Sequence, residues 1–493
     1  MSAANDMSNS AARSSRPLAQ KIWPLCIHAI PVCISGLLVL FADPPTVFVV
    51  GGVVATITYA YLVWLECRSN PILVTPLNCF FFWFGLVLGP TAIYVGIRFS
   101  ENGALPFLVA FVPLSSVAIG YLVTLVGALF LHLGIVFGLP ERASLVLRRA
   151  DSGSAVTSHT VLICAGISLL YAHYTARLQF VGSTLGYLLT DIGPAAACIY
   201  AVSKRSGFRE EWMKIFILAP VTVLLAMARG SQGSKLGIVV AFIPLVWFFL
   251  MERKRRIILV ALCPFVAAAY VLVVTPAVTS ARIAVGAENV TMSDILASGV
   301  IQMDAFARQP QEYVWQWSDE VAQRLFSEPV AVGYIATRVE TEGYTYGATL
   351  DYMVWASVPR ILWKDKPYVS RGGWFTADIG ASLTPEAAGT STGMTSPGEL
   401  FWNFGWIGVM CGMGLMGLLI ALLWRLALPD PRLGIIAMLP YVHILADAML
   451  YQDSEAGSSI MNIIQAYLLF FVVMKVAQMV WSKKIEPKFA LQY

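Results

Sequence analysis

Four cations fall within twelve positions, at Arg360, Lys364, Lys366 and Arg371, and they alternate with Trp363, Tyr368 and Trp374, with Trp355 just before them. Guanidinium and ammonium groups at this density suit a phosphate-bearing ligand, which Arg binds through a planar fork and Lys as a point charge. Aromatic faces beside them suit the C–H faces of sugar rings, although interfacial anchoring uses the same residue types. A second basic constellation is Ala228-Arg-Gly-Ser-Gln-Gly-Ser-Lys235, where a tight Gly/Ser turn would let backbone N–H groups converge on an anion with Arg229 and Lys235. It is not a nucleotide-binding phosphate loop, because its Gly-to-Lys spacing is wrong. For proton transfer, the candidates are Glu399, which follows the Ser396-Pro-Gly398 turn, and the pair His443 and Asp447, which share a helix face at i, i+4. Glu399 also fits a helix cap, and His443 with Asp447 also fits a structural pair.

Such groups must be held by a scaffold. The chain has 493 residues, 58% of them hydrophobic and 13% charged, with a mean hydropathy of +0.71. That leaves too little polar surface to cover a water-soluble globule. The expected class is all-α, a polytopic helical membrane protein with about twelve transmembrane helices and one large, mainly helical outer loop. The expected spans are Ile22–Phe41, Thr46–Leu65, Ile72–Ile97, Pro106–Val136, Thr157–Thr175, Leu185–Val202, Trp212–Met227, Leu236–Leu250, Arg256–Pro276, Glu399–Trp424, Leu433–Leu450 and Ile460–Trp481. Residues 1–21 form a disordered N-terminus, residues 22–276 spans one to nine, residues 277–398 the loop, residues 399–481 spans ten to twelve, and residues 482–493 a tail.

Lys and Arg in alternate connectors, such as Arg142/Arg148/Arg149 and Arg253-Lys-Arg-Arg256, place both termini in the cytoplasm and the loop outside. Cations that break this bias, among them Arg98, Arg177, Arg229 and Lys235, invite an anionic partner. For Arg98 the plainer expectation is a pair with Glu101. Within the loop, Ser293 is the expected cap of a helix reaching Arg308, a second helix runs from Glu312 to Phe326, and Pro329, Gly333 and Gly343 then interrupt the pattern. The eight cysteines are expected as free thiols, seven in spans and Cys67 in a connector. Metal ligation has little support, since His28, His132, His159 and His173 are scattered and Asp453-Ser-Glu455 is the one outer acid pair with suitable spacing. No cofactor and no nucleic-acid partner are expected.

The chain resembles the Wzy-type oligosaccharide repeat-unit polymerases, also called O-antigen polymerases. The resemblance rests on about a dozen spans, a large late loop, Pro359-Arg-Ile-Leu-Trp-Lys-Asp-Lys-Pro367 within it, and Gly398-Glu-Leu-Phe-Trp-Asn-Phe-Gly405 opening the next span. It implies transfer of a glycan from undecaprenyl pyrophosphate onto another lipid-linked repeat unit, at the periplasmic face of the bacterial inner membrane. Arg229, Lys235, Arg360, Lys364, Lys366 and Arg371 would then hold the pyrophosphate, Trp355, Trp363, Tyr368 and Trp374 the glycan, and Glu399, or His443 with Asp447, the acceptor proton. Membrane lipids, a chain-length regulator and a flippase are the implied partners. The competing classes are an O-antigen ligase, against which the loop's lack of His counts, and a flippase or transporter of lipid-linked oligosaccharide.

Overall fold

The computed structural model describes residues 18–69, 75–107, 109–138, 156–174, 182–203, 208–231, 235–250, 265, 268–285, 290–353, 363, 371–385, 392–426, 435–450 and 454–481. The first half is a run of apolar helices: α1 (Leu18–Phe41), α2 (Pro44–Ser69), α3 (Pro76–Leu88), α4 (Pro90–Arg98), α5 (Leu114–Gly138), α6 (Ser158–Tyr174), α7 (Gly182–Val202), α8 (Phe208–Ser231) and α9 (Lys235–Leu250). Among the described residues, six helical stretches are long and apolar enough to cross a membrane: Ile22–Phe41, Pro44–Arg68, Pro76–Arg98, Leu114–Gly138, Ser396–Trp424 and Ala456–Lys475. Four shorter apolar helices accompany them. The protein is therefore a helical, multi-pass membrane protein.

Several boundaries differ from expectation for local reasons. The stretch expected as one span from Ile72 to Ile97 is two helices, because Gly89 leaves the helical region before Pro90. Thr75 caps the first of them, accepting from the Asn78 amide at 3.2 Å. Between α4 and α5 lies an antiparallel hairpin of β1 (Ala104–Phe107) and β2 (Ala110–Pro113), so the chain is not wholly α and the expected fourth span begins at Leu114. Ala228–Ser231 is the last turn of α8 and not a free Gly/Ser turn. Cys67 sits within α2, and the seven described cysteines are free.

The polar insert is largely helical among its described residues. A helix, α10 (Thr275–Val285), carries the chain across the expected ninth-span boundary. Then come α11 (Met292–Arg308), α12 (Pro310–Leu325), α13 (Ser327–Glu342) and the short α14 (Arg371–Asp378). Thr291, and not Ser293, caps α11: it forms a reciprocal box in which the Asp294 carboxylate accepts from the Thr291 amide at 2.8 Å. Along α12, Tyr313, Trp317 and Val321 are buried. Arg98 pairs with Asp319 of this helix at 3.1 Å and not with Glu101, and Tyr94 donates to the same carboxylate at 2.6 Å. Pro329 and Gly333 do not interrupt α13. Pro329 sits in its first turn, where a missing N–H costs nothing, and Gly333 is where α13 meets α5. A Cβ at Gly333 would lie 2.8 Å from the Ser116 carbonyl oxygen, and one at Gly120 would strike the Pro329 carbonyl oxygen. Small residues thus let two backbones touch, and the pairing of 333 with 116 and 329 with 120 makes the helices antiparallel. Phe326 is fully buried, with its ring 5.5 Å from Phe48 and 6.1 Å from Tyr121. The loop therefore threads a helix back into the bundle core.

The last three helices are α15 (Ser396–Leu426), α16 (Ile435–Leu450) and α17 (Ala456–Trp481). The first of these is really two. Gly405 has φ 62° and ψ −149°, a region open essentially to glycine alone. In a straight helix Leu400 and Gly412 would be about 18 Å apart, yet a Cβ on Gly412 would meet the Leu400 side chain at 2.5 Å. Pro397 and Met413 likewise both lie against Gly127. The chain reverses at Gly405, so Ser396–Phe404 is a re-entrant arm lying back along the start of Trp406–Leu426. The carbonyls freed by the break are taken by the loop: the Thr345 amide donates to Trp402 at 3.0 Å and the Tyr346 amide to Asn403 at 3.2 Å. Irregular backbone at membrane depth survives only when its polar groups are satisfied in this way.

Candidate active site

The re-entrant arm begins at a capped turn. Thr395 has φ 65°, its side chain accepts from the Gly398 amide at 3.2 Å, and its carbonyl accepts from the Glu399 amide at 2.9 Å. Glu399 is fully buried. Its carboxylate accepts from the Thr349 hydroxyl at 3.1 Å and from the Gly457 amide, in the first turn of α17, at 3.0 Å. A helix N-terminus thus faces the carboxylate and favours its negative charge.

Asn403, one turn further along, holds this arrangement. Its Nδ2 donates to the Thr349 hydroxyl at 2.6 Å and to the Glu399 carbonyl at 2.7 Å, while its Oδ1 accepts from the Thr345 hydroxyl and the Gly347 amide, each at 2.7 Å. All four hydrogen-bonding positions of the amide are used. Arg371, at the start of α14, donates to the Thr349 carbonyl at 2.5 Å and to Asp351 at 2.6 Å. Its guanidinium lies 4.4 Å from the Tyr352 ring and 5.2 Å from the Trp374 ring, while its Nε is buried with no hydrogen-bond partner among the described residues.

Glu455 is buried just before α17, and removal from water pushes its carboxyl above the usual range. Burial also pushes the Tyr352 phenol up, with the Glu399 carboxylate adding to the effect. That phenol shares a hydrogen bond with Ser458 at 3.0 Å. The result is a buried cluster of two acids, one guanidinium and one neutral phenol. It is able to take a proton from a hydroxyl and to compensate charge on a neighbouring group.

The expected site residues divide into four sets. Glu399, Arg371 and Trp374 come together, with the Trp374 ring 6.0 Å from Trp402. His443 is held elsewhere: its Nδ1 lies 3.1 Å from a carboxylate oxygen of Asp191 on α7, so its partner comes from another helix. Trp363 is exposed. Trp355, Arg360, Lys364, Lys366 and Tyr368, and the side chains of Arg229, Lys235 and Asp447, lie outside the described residues. Asn403, Thr349 and Tyr352 were not singled out as site residues from sequence. Asn403 stands inside the quoted signature, so its position was visible, but its role was not. Arg338 is a further cation near the site, with its guanidinium 5.8 Å from the Trp402 ring, and it is bound to Glu342 at 2.7 Å and Asp378 at 3.3 Å. No group of three His, Cys, Asp or Glu placed to hold a metal occurs among the described residues.

The family model described as O-antigen polysaccharide polymerase Wzy matches residues 157–484. The chain belongs to this family. The match contains the whole Glu399 pocket, α13 to α17 and the loop cations. As a Wzy-family protein it is a polymerising, glycosyltransferase-type membrane enzyme acting on lipid-linked repeat units in the making of O-antigen. Searches of curated proteins and of solved structures find no match to the chain.

Proposed function

We propose that this Wzy-family protein joins repeat units carried on undecaprenyl pyrophosphate, at the periplasmic face of the inner membrane, with Glu399 as the general base. The observation that carries the reading is the Thr349 hydroxyl on the Glu399 carboxylate at 3.1 Å. It occupies the place an acceptor sugar hydroxyl would take. Moving the Thr345–Thr349 turn aside would exchange one hydroxyl for the other.

In the reaction, the acceptor O–H gives its proton to Glu399 as its oxygen bonds to the anomeric carbon of the donor. The bond from that carbon to the pyrophosphate oxygen breaks, and undecaprenyl pyrophosphate leaves with the electron pair. Charge growing on the leaving group calls for fixed cations. Arg371 is the one beside Glu399, and Arg229, Lys235, Arg360, Lys364 and Lys366 complete the proposed set. Trp355, Trp363, Tyr368 and Trp374 are proposed for the glycan. No metal is required by this scheme. His443 with Asp191, a buried pair joining α16 to α7, reads as structural; His443 with Asp447 is the alternative base.

Purified protein reconstituted with lipid-linked repeat units should yield a ladder of longer lipid-linked products, and a single-unit band alone would contradict the proposal. In whole cells, an impermeant thiol reagent should label a cysteine placed at Ser318 and not one placed at Ser482. The reverse would invert the orientation.

A further inference from the structure

The second arm of α15 carries one unbroken apolar stripe. Ile407, Cys411, Leu415, Leu418 and Leu422 are all exposed, and spacings of three and four residues put them on one helix face over roughly 22 Å. At its loop end the stripe meets a cluster of rings. Tyr344, Tyr346, Phe404 and Trp406 are exposed, and Tyr346 is 80% so. Tyr344 packs edge-on to Tyr346 at 6.3 Å and to Phe401 at 6.4 Å, and Phe401 packs on Trp406 at 5.4 Å.

These rings are held out by strained backbone. Tyr346 has φ 51° and Gly347 φ 96°, and Gly405 has φ 62° with the Tyr344 hydroxyl 3.0 Å from where its Cβ would be. A bulky residue at positive φ persists only where its surroundings enforce it. Here the enforcing groups are the freed carbonyls of the reversal and the Asn403 amide. The turn that presents the rings is thus the turn that covers Glu399, so the head of the stripe and the carboxylate pocket share one structural element.

We infer that this stripe and its aromatic head hold the polyprenyl chain of the lipid-linked substrate, running from the Tyr344–Gly347 turn along Ile407 to Leu422. The inference rests on the reading above that the substrate is lipid-linked and reacts at Glu399. A chain whose pyrophosphate is at that pocket has to remain in hydrocarbon, and α15 is the helix that carries both the carboxylate, on its re-entrant arm, and a continuous apolar track, on the second arm against which Leu400 packs at Gly412. Other exposed apolar faces, such as that of α8 at Phe216, have no such connection to the pocket. Methyl branches and double bonds of an isoprenoid also pack well on ring faces and edges.

The test uses the full chain in lipid nanodiscs, with photoreactive benzoylphenylalanine replacing either Ile407 or, as a bilayer-facing control, Phe216. The probes are radiolabelled repeat units on undecaprenyl pyrophosphate and on a ten-carbon prenyl pyrophosphate. The long-chain probe should label position 407 saturably, at least about tenfold above position 216 and above the short-chain probe. Tyr346→Asn, which keeps a side chain tolerant of positive φ, should raise the half-saturating concentration several-fold. Equal, unsaturable labelling at 407 and 216 means ordinary bilayer lipid covers the stripe and overturns the inference, as does unchanged saturation in Tyr346→Asn. Saturable labelling without ladder formation would retire the polymerase reading and keep the track. A ladder without preferential labelling would do the opposite.

Discussion

Replacing Asn403 with Asp changes one atom and tests whether the pocket depends on the hydrogen-bond pattern around Glu399. The new side chain keeps the oxygen that accepts from Thr345 and Gly347, so the covering turn stays anchored. The lost NH2 group faces two oxygens, the Thr349 hydroxyl at 2.6 Å and the Glu399 carbonyl at 2.7 Å. The Thr349 proton is already directed to the Glu399 carboxylate, so an aspartate there meets acceptors on both sides. A buried group orphaned in this way costs about 1–3 kcal/mol. Two such losses come to about 2–6 kcal/mol, a large share of the 5–15 kcal/mol that typically separates folded from unfolded. The expected outcome for Asn403→Asp is a thermal midpoint lowered by several degrees in detergent and loss of long polymer in cells lacking their own polymerase. Asn403→Ala, which also frees the turn, should be at least as harmful. An Asp variant with wild-type melting and wild-type polymer length would refute the reasoning.

Other substitutions probe separate parts of the account. Gly405→Ala places a Cβ in a glycine-only region 3.0 Å from the Tyr344 hydroxyl and should cost about 1–3 kcal/mol in stability, read as a lower melting temperature; unchanged melting would contradict the reversal at this residue. Arg371→Lys keeps the charge but loses the planar guanidinium that lies over the Tyr352 and Trp374 rings and whose one terminal nitrogen reaches both the Thr349 carbonyl and Asp351, so reconstituted polymerisation should fall at least roughly tenfold, and further in Arg371→Ala. Full activity in a well-expressed Ala variant would remove Arg371 from the mechanism. Burial raises the Glu455 carboxyl from its ordinary 4.5, so the folded protein binds more protons there than the unfolded chain. Its contribution is fully present below that ordinary value and is lost as pH rises through the folded one. Glu455→Gln should therefore flatten the fall in melting temperature over that window, and an unaltered pH profile would show that Glu455 does not set it.

Much of the helical content was legible in sequence because it depends on local signals. Hydropathy marks the apolar helices, and the spacing of Val314, Trp317, Val321 and Leu325 marks α12 as helical, though the residues buried on it are Tyr313, Trp317, Val321 and Ala322. Glu399 was visible from its signature and from the flexible turn before it. What stayed hidden is set by long-range packing. Apart from Asn403 the run from Leu400 to Trp424 is apolar, so its hydropathy does not reveal a reversal, and Gly405 is one glycine among many. Asp191 lies 252 residues from His443, and no periodicity could pair them. The same is true of His28 and His132, read as scattered, whose ring nitrogens meet at 3.0 Å while His28 also reaches the Tyr59 hydroxyl at 2.8 Å. Arg98 found Asp319 in place of the nearer Glu101 because α12 packs against α4, a tertiary contact that sequence proximity does not report.

The claim most exposed to failure is that Glu399 takes the acceptor proton. Glu399→Gln keeps the shape of the side chain and can still hydrogen-bond Thr349, but it has no basicity. Polymerisation of purified lipid-linked repeat units should be followed beside His443→Ala and Asp447→Asn, with substrate binding measured in parallel. The account predicts a Glu399→Gln protein that binds lipid-linked substrate and forms product roughly 10²–10⁴ times more slowly, while the α16 variants retain more activity wherever they fold. Near-normal ladder formation by Glu399→Gln, with His443→Ala or Asp447→Asn folded but inactive, would place the base on α16 and leave Glu399 as the cap of a re-entrant helix.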